Sequence, residues 1–105
     1  GLVAATAGLI GYDAVSSNNS VLVTGTNSLW TSSSTLYVGE AGSSNSLVIS
    51  NGGRVANRSG FIGYGPDSSN NSVLVTGTNS LWTNSLGLWV GYEGSGNSLT
   101  VTAGA

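Results

Sequence analysis

The sequence predicts an all-β chain wound as a parallel β-helix, a β-solenoid of about four rungs of ~26 residues with three short strands per rung. Three observations point there. The string NNSVLVTGTNSLWTS at Asn18–Ser32 returns as NNSVLVTGTNSLWTN at Asn70–Asn84, so the chain overlays on itself at a shift of 52 without a gap. The pair Asn-Ser recurs at Asn19, Asn45, Asn71 and Asn97, every 26 residues. Each pair precedes a short run, VLVT, LVIS, VLVT or LTVT, with apolar residues at its first and third positions, which is strand periodicity.

Along the chain, each rung opens with a short strand, at Val3–Ala5, Leu29–Thr31, Val55–Asn57 and Leu81–Thr83. A second ends in glycine: LIG at Leu9–Gly11, YVG at Tyr37–Gly39, FIG at Phe61–Gly63 and WVG at Trp89–Gly91. The spacing of these glycines runs 28, 24, 28, because GTNSLWTS is longer than GGRVAN, so loops absorb the difference while the Asn-Ser columns hold register. The third strand is the alternating run itself, at Val21–Thr24, Leu47–Ser50, Val73–Thr76 and Leu99–Thr102. Gly, Ser and Asn clusters separate the strands, as turns require. No window keeps apolar residues at three- and four-residue spacing long enough for a helix.

One rung cannot bury its own core, so the inward positions are expected to form columns through the stack. These are Val21, Leu47, Val73 and Leu99; Val23, Ile49, Val75 and Val101; and Ile10, Val38, Ile62 and Val90. The opening strand contributes Val3, Trp30, Val55 and Trp82, with Leu29 and Leu81 competing for the inward place. The chain is then one domain, residues 1–105, made of two 52-residue repeats, 1–52 and 53–104.

Two sets of residues stand out as functional candidates. Asn19, Asn45, Asn71 and Asn97 could stack as an amide ladder that satisfies the backbone at a bend. The plainer alternative is that asparagine simply tolerates left-handed turns. Leu9, Tyr37, Phe61 and Trp89 form an outward stripe, with Tyr12, Tyr64 and Tyr92 beside it. Such a stripe marks an interaction surface, either for another copy or a neighbouring segment, or as an aromatic platform for glycans. A further outward column, Thr24, Ser50, Thr76 and Thr102, lacks the paired hydroxyl rows that matching an ice surface would need.

Composition excludes several classes. The chain has 2 Lys+Arg, 4 Asp+Glu and no His or Cys, with a net charge of −2. That leaves no basic patch for nucleic acid, no disulfide or thiolate metal site, and almost no nucleophile–base combination. The acids Asp13, Glu40, Asp67 and Glu93 form no evident pair for glycoside chemistry, so no catalytic residue, metal or cofactor is expected. No apolar run is long enough for a membrane-spanning helix. Asn-x-Ser sequons at Asn18, Asn57 and Asn70 matter only in a glycosylating host.

The strings TLYVGEAGSSNSLVISNGGRV (Thr35–Val55) and LWVGYEGSGNSLTVTAGA (Leu88–Ala105) resemble the β-strand repeats of large bacterial surface proteins, in particular autotransporter passengers and related secreted adhesins. The resemblance covers essentially the whole chain. It implies a right-handed parallel β-helix at the bacterial cell surface or outside the cell, serving as a stalk or scaffold. No family site residues come with it. Because residue 53 stands in the place of residue 1 and Gly104 in that of Gly52, another copy could continue the coil in register. The expected function is therefore a non-enzymatic structural protein that builds a fibre, stalk or surface layer with itself as partner. The alternative is a carbohydrate-binding adhesin segment.

Overall fold

A computed structural model of the chain describes all of residues 1–105 as ten strands joined by turns, with no helix and so none long and apolar enough to cross a membrane. The first rung holds β1 (Leu2–Ala5), β2 (Gly8–Ile10) and β3 (Ser20–Thr24), and the second holds β4 (Leu29–Ser32), β5 (Thr35–Val38) and β6 (Ser46–Ser50). The third rung holds β7 (Arg54–Ile62) and β8 (Ser72–Thr76), and the fourth β9 (Leu81–Val90) and β10 (Ser98–Thr102). Every pairing is parallel and joins equivalent strands of successive rungs. β3, β6, β8 and β10 make one face, with Val21 opposite Leu47, Leu47 opposite Val73 and Val73 opposite Leu99. The chain is a β-solenoid of four rungs.

The structure differs from the sequence expectation at one corner. Separate short strands are predicted there on every rung, yet β7 and β9 run through it unbroken. The physical reason is that pairing survives the bend: the N–H groups of Arg58 and Ser59 both donate to the Ser34 carbonyl, at 2.9 and 3.4 Å. The length difference between rungs is shared accordingly. One residue is absorbed in the turn before the opening strand, where 51–53 is shorter than 77–80. The other is absorbed as a bulge, since Asn57 pairs with Asn84 but Ser59 pairs with Gly87.

The predicted inward columns line the interior. Val38, Leu47, Ile49 and Ile62 are wholly buried, and Trp30 and Trp82 pack against them from the opening strand. A fifth column completes the core: Gly8, Leu36, Gly60 and Leu88, in register from rung to rung. It alternates small and large against the tryptophans. A Cβ on Gly8 would lie 2.6 Å from the Trp30 ring and 2.7 Å from Leu36 Cδ1. At Gly60 it would lie 3.0 Å from the Trp82 ring and 3.1 Å from Leu88 Cδ1. Rungs one and three therefore carry glycine where rungs two and four carry leucine and a tryptophan ring. This is why the sequence repeats more strongly at two rungs than at one.

Burial falls off at the ends of the coil, where Val3 is 59% exposed and Val101 56%. Truncations should reflect this. Ile62→Ala, in the middle, is expected to lower the unfolding free energy by about 2–5 kcal/mol, whereas Val101→Ala should change it by about 0.5 kcal/mol or less; urea denaturation of both checks the contrast.

Candidate functional site

The turn that follows each glycine-ending strand carries both candidate sets. It reverses on glycines with positive φ, Gly11, Gly39, Gly63 and Gly91 at 75 to 80°. It then enters the last strand of the rung through Asn18, Ser44, Asn70 and Gly96, also left-handed. The ladder asparagines Asn19, Asn45, Asn71 and Asn97 come one residue later and are not among the positive-φ residues, so turn tolerance is not their role.

Instead they bond to one another. Oδ1 of Asn45 accepts both the backbone N–H and the Nδ2–H of Asn19, each at 3.0 Å. Oδ1 of Asn71 does the same for Asn45, at 2.8 and 3.1 Å, and Oδ1 of Asn97 for Asn71, at 2.8 and 3.1 Å. The remaining amide hydrogen ties down the turn: Asn45 Nδ2 donates to Ser16 O, Asn71 Nδ2 to Gly42 O and Asn97 Nδ2 to Ser68 O, at 3.2 to 3.3 Å. Asn45 and Asn71 are fully buried, so each amide replaces water for backbone groups that would otherwise go without partners.

Ser68, wholly buried, reinforces the third turn: its single hydroxyl hydrogen is shared between the carbonyls of Gly39 and Gly42, each 2.7 Å away, and its oxygen accepts from Asn71 Nδ2 at 3.0 Å. Gly39 sits directly over the Asn71 amide, where a Cβ would collide with it, and Gly11 and Gly63 stand likewise over Asn45 and Asn97. The glycine and asparagine columns thus interlock. A second amide pair is internal to the lower rungs: Asn57 Nδ2 donates to Asn84 Oδ1, and the Trp82 indole N–H donates to Asn57 Oδ1, both at 2.7 Å.

On the outside, Tyr37, Phe61 and Trp89 stack as a column, with ring centroids 5.3 and 4.8 Å apart and planes within 14°. Leu9 tops it, opposite Tyr37. Tyr64 and Tyr92 form a parallel stack 5.2 Å apart that meets the first column edge to face, 4.9 Å between Phe61 and Tyr64. Tyr12 does not join them, because the second-rung place in its column belongs to Glu40, whose N–H bonds the Gly11 carbonyl as that of Tyr64 bonds Gly39. The stacking has a chemical consequence. Phe61 is covered on both faces, by Tyr37 and Trp89, so neither of its faces is free to take a flat ligand.

Glu40 is the residue the sequence reading left out of the aromatic set. Its Oε2 is shut off from solvent without a hydrogen-bond partner, and desolvation raises its pKa above the ordinary carboxylate value. Tyr37 is also raised, by burial first and then by the negative charges of Glu40 and Tyr64. The four acids line this one edge of the coil and nowhere gather with others into a metal-binding group of three. The alternation that placed Tyr37 outward also implied an inward Leu36, which the sequence reading passed over.

Comparison with protein-family models, with curated proteins and with solved structures finds no match to this chain. The fold and the buried ladder define it as a parallel β-solenoid with an asparagine spine.

Removing a central spine amide leaves buried backbone groups unpaired, at about 1–3 kcal/mol each. Asn71→Ala is therefore expected to cost about 2–4 kcal/mol, and Asn19→Ala, at the exposed end, about 1 kcal/mol or less; equilibrium denaturation reads both. Glu40 gives a pH test. Its folded pKa lies above its unfolded one, so the wild type is favoured where the group is protonated in both states and loses that advantage as pH rises through its raised pKa. Glu40→Gln should accordingly raise the melting temperature at neutral pH, with the gain shrinking as the pH is lowered below the ordinary carboxylate range.

Proposed function

We propose that this chain is a non-enzymatic, extracellular structural protein, a β-solenoid repeat akin to those of bacterial surface proteins, which builds a fibre, stalk or surface layer by continuing its coil. One observation carries the reading: the two open ends of the coil are complementary, and the junction they would make already exists inside the molecule. Rung four repeats rung two in sequence, and rung one repeats rung three. A rung like the first, laid on the fourth, would set Val3, Ile10, Val21 and Val23 against Trp82, Val90, Leu99 and Val101. Their counterparts, Val55, Ile62, Val73 and Val75, lie in this way against Trp30, Val38, Leu47 and Ile49.

Polar groups fit in the same sense. The spine runs donor to acceptor from each rung to the next. The lower end therefore offers the N–H and amide of Asn97, and the upper end the Oδ1 of Asn19. The union is head to tail and heterologous, which generates an open filament rather than a closed dimer. The next rung can come from a second molecule or from adjoining repeats of one chain.

The stacking of Tyr37, Phe61 and Trp89 supports lateral contact between coils over a glycan platform, because sugar rings bind to aromatic faces and the stack engages both faces of Phe61 and one face each of Tyr37 and Trp89. With two cations, no His and no Cys, nothing supplies a nucleophile and its base.

The isolated 105-residue chain tests the proposal by sedimentation and negative-stain electron microscopy. Wild type is expected to form unbranched filaments in a concentration-dependent manner, and Val101→Asp, exposed at the lower end, to remain folded by circular dichroism but monomeric. A wild type that stays monomeric up to its solubility limit, or filaments indifferent to Val101→Asp, would overturn end-to-end assembly. Glycan binding lost in Tyr37→Ala and Trp89→Ala with filaments intact would favour the adhesin reading.

A further inference from the structure

The outer tyrosine column has one missing layer. Reading down the coil it contains Tyr12, Glu40, Tyr64 and Tyr92, placed in register by the rung-to-rung bonds that link Glu40 to Gly11, Tyr64 to Gly39 and Tyr92 to Gly63. Where two tyrosines are adjacent they stack at 5.2 Å. Around Glu40 there is instead a cleft of about 360 Å³, walled by Tyr12, Asp13 and Ala14 above and Tyr64 and Gly65 below. We propose that this cleft is a binding slot for an organic cation, a guanidinium or a quaternary ammonium head, held between Tyr12 and Tyr64 and neutralised by Glu40.

Spacing is the first argument. Tyr12 and Tyr64 stand two rungs apart, about 9.6 Å at ~4.8 Å per rung. A cation midway would lie about 4.8 Å from each ring centre, inside the ~6 Å reach of a cation–π contact on both sides. A planar guanidinium sandwiched between two rings needs about 7–8 Å, so it also fits without parting them.

Charge is the second. Glu40 lines the cleft, and one of its carboxylate oxygens, Oε2, is already desolvated without a donor, so a cation arriving beside the carboxylate offsets a charge that burial penalises. Asp13 adds a second carboxylate to the wall. Neither cation of the chain is placed to serve: Arg54 lines the cleft at a different turn, beside Thr26–Leu29 and Asn79–Leu81, and Arg58 sits in the bulge of β7. The groups that face Glu40 are Tyr12 and Asp13 from the rung above, Tyr64 from the rung below and Tyr37 from its own rung, none of them cationic.

Specificity is the third. At the equivalent place two rungs on, Tyr92 fills the layer and stacks on Tyr64, so the slot is tied to the single exchange of tyrosine for glutamate. A metal ion is a poor occupant, since two acids and two rings offer too few oxygens for calcium.

Solution NMR of the full chain carrying Val101→Asp, which lies far from the cleft and keeps the chain monomeric, tests this, following the ring signals of Tyr12 and Tyr64 during titration with choline chloride and, separately, N-acetylarginine amide. Sodium chloride at equal ionic strength and 3,3-dimethylbutan-1-ol, the uncharged isostere of choline, serve as controls. The expected result is a saturable shift confined to these rings and produced by either cation but by neither control. Glu40→Gln is expected to weaken it about tenfold, and Glu40→Tyr, which puts into the slot the residue that the fourth rung carries there, to abolish it with the fold retained by circular dichroism. Saturation by choline alone would place the natural ligand among quaternary ammonium groups, and by arginine alone among guanidinium groups. No saturable shift, equal binding by the uncharged isostere, or undiminished binding in Glu40→Gln would overturn the slot. Because the titration follows the chain that does not associate end to end, the scaffold proposal and the slot can fail independently.

Discussion

The structure depends on one constraint: every rung must find its hydrogen-bond partners in the rung beside it. A parallel strand has no hairpin neighbour to satisfy it, and at the corners, where the ladder of backbone bonds lapses, something else has to take over. At the turn after the glycine strand that substitute is the asparagine spine. A primary amide is suited to the task because it carries an acceptor with two lone pairs and two donor hydrogens. Its Oδ1 receives two bonds from the rung above, while its Nδ2 spends one hydrogen on the rung below and one on the turn. Aspartate would lack the donors and serine the reach. The constant interval of 26 residues is the sequence trace of this requirement: the spine corner itself alternates between a longer turn, 11–19 and 63–71, and a shorter one, 39–45 and 91–97, and so takes up the length that the other two corners change.

That contrast explains what was legible beforehand. Strand positions, parallel stacking and the inward columns at Val21, Val23 and Ile10 could be read directly, because a two-residue period and an exact repeat leave few alternatives. Leu36 and Gly8 escaped because glycine in a strand reads as a turn until its neighbour one rung away is known; only the Trp30 ring below it gives Gly8 a reason. The fusion of strands in β7 and β9 could not be read either, since whether a bend keeps its hydrogen bonds is decided by the carbonyl of Ser34, more than twenty residues earlier in the chain. On the surface, the residues flanking the tyrosine column were visible, but the place of Glu40 within it required the register of a corner whose length alternates.

The same physics bears on the ends. Solenoids normally close their termini with polar or bulky caps, because an open rung presents unpaired strand edges and an uncovered core. Here the lower end shows Val90, Val101 and the flank of Trp82, and the upper end Leu2 and Val3. Neither a charged side chain nor a proline interrupts these edges; Pro66 lies in the third turn, within the stack.

Packing then selects what can follow. A rung bearing tryptophan and leucine has its rings lodged over the glycine of the rung above, and turns its other side to the valine of the rung below. Two large rungs in succession would place Trp82 against a second indole and Leu88 against a second leucine with no glycine to admit either, and overpacking of that kind is destabilising by about 1–3 kcal/mol per site. Two small rungs in succession would leave a void of comparable cost. A small rung laid on the fourth would therefore fit and a large one would clash, so under the proposed end-to-end association the two-rung repeat would act as a register key, admitting a second molecule by its first rung, in one orientation, with its spine in line. Backbone pairing alone, which is indifferent to side chains, could not impose that order. The alternation of glycine and leucine within the core would do so without a single charged contact.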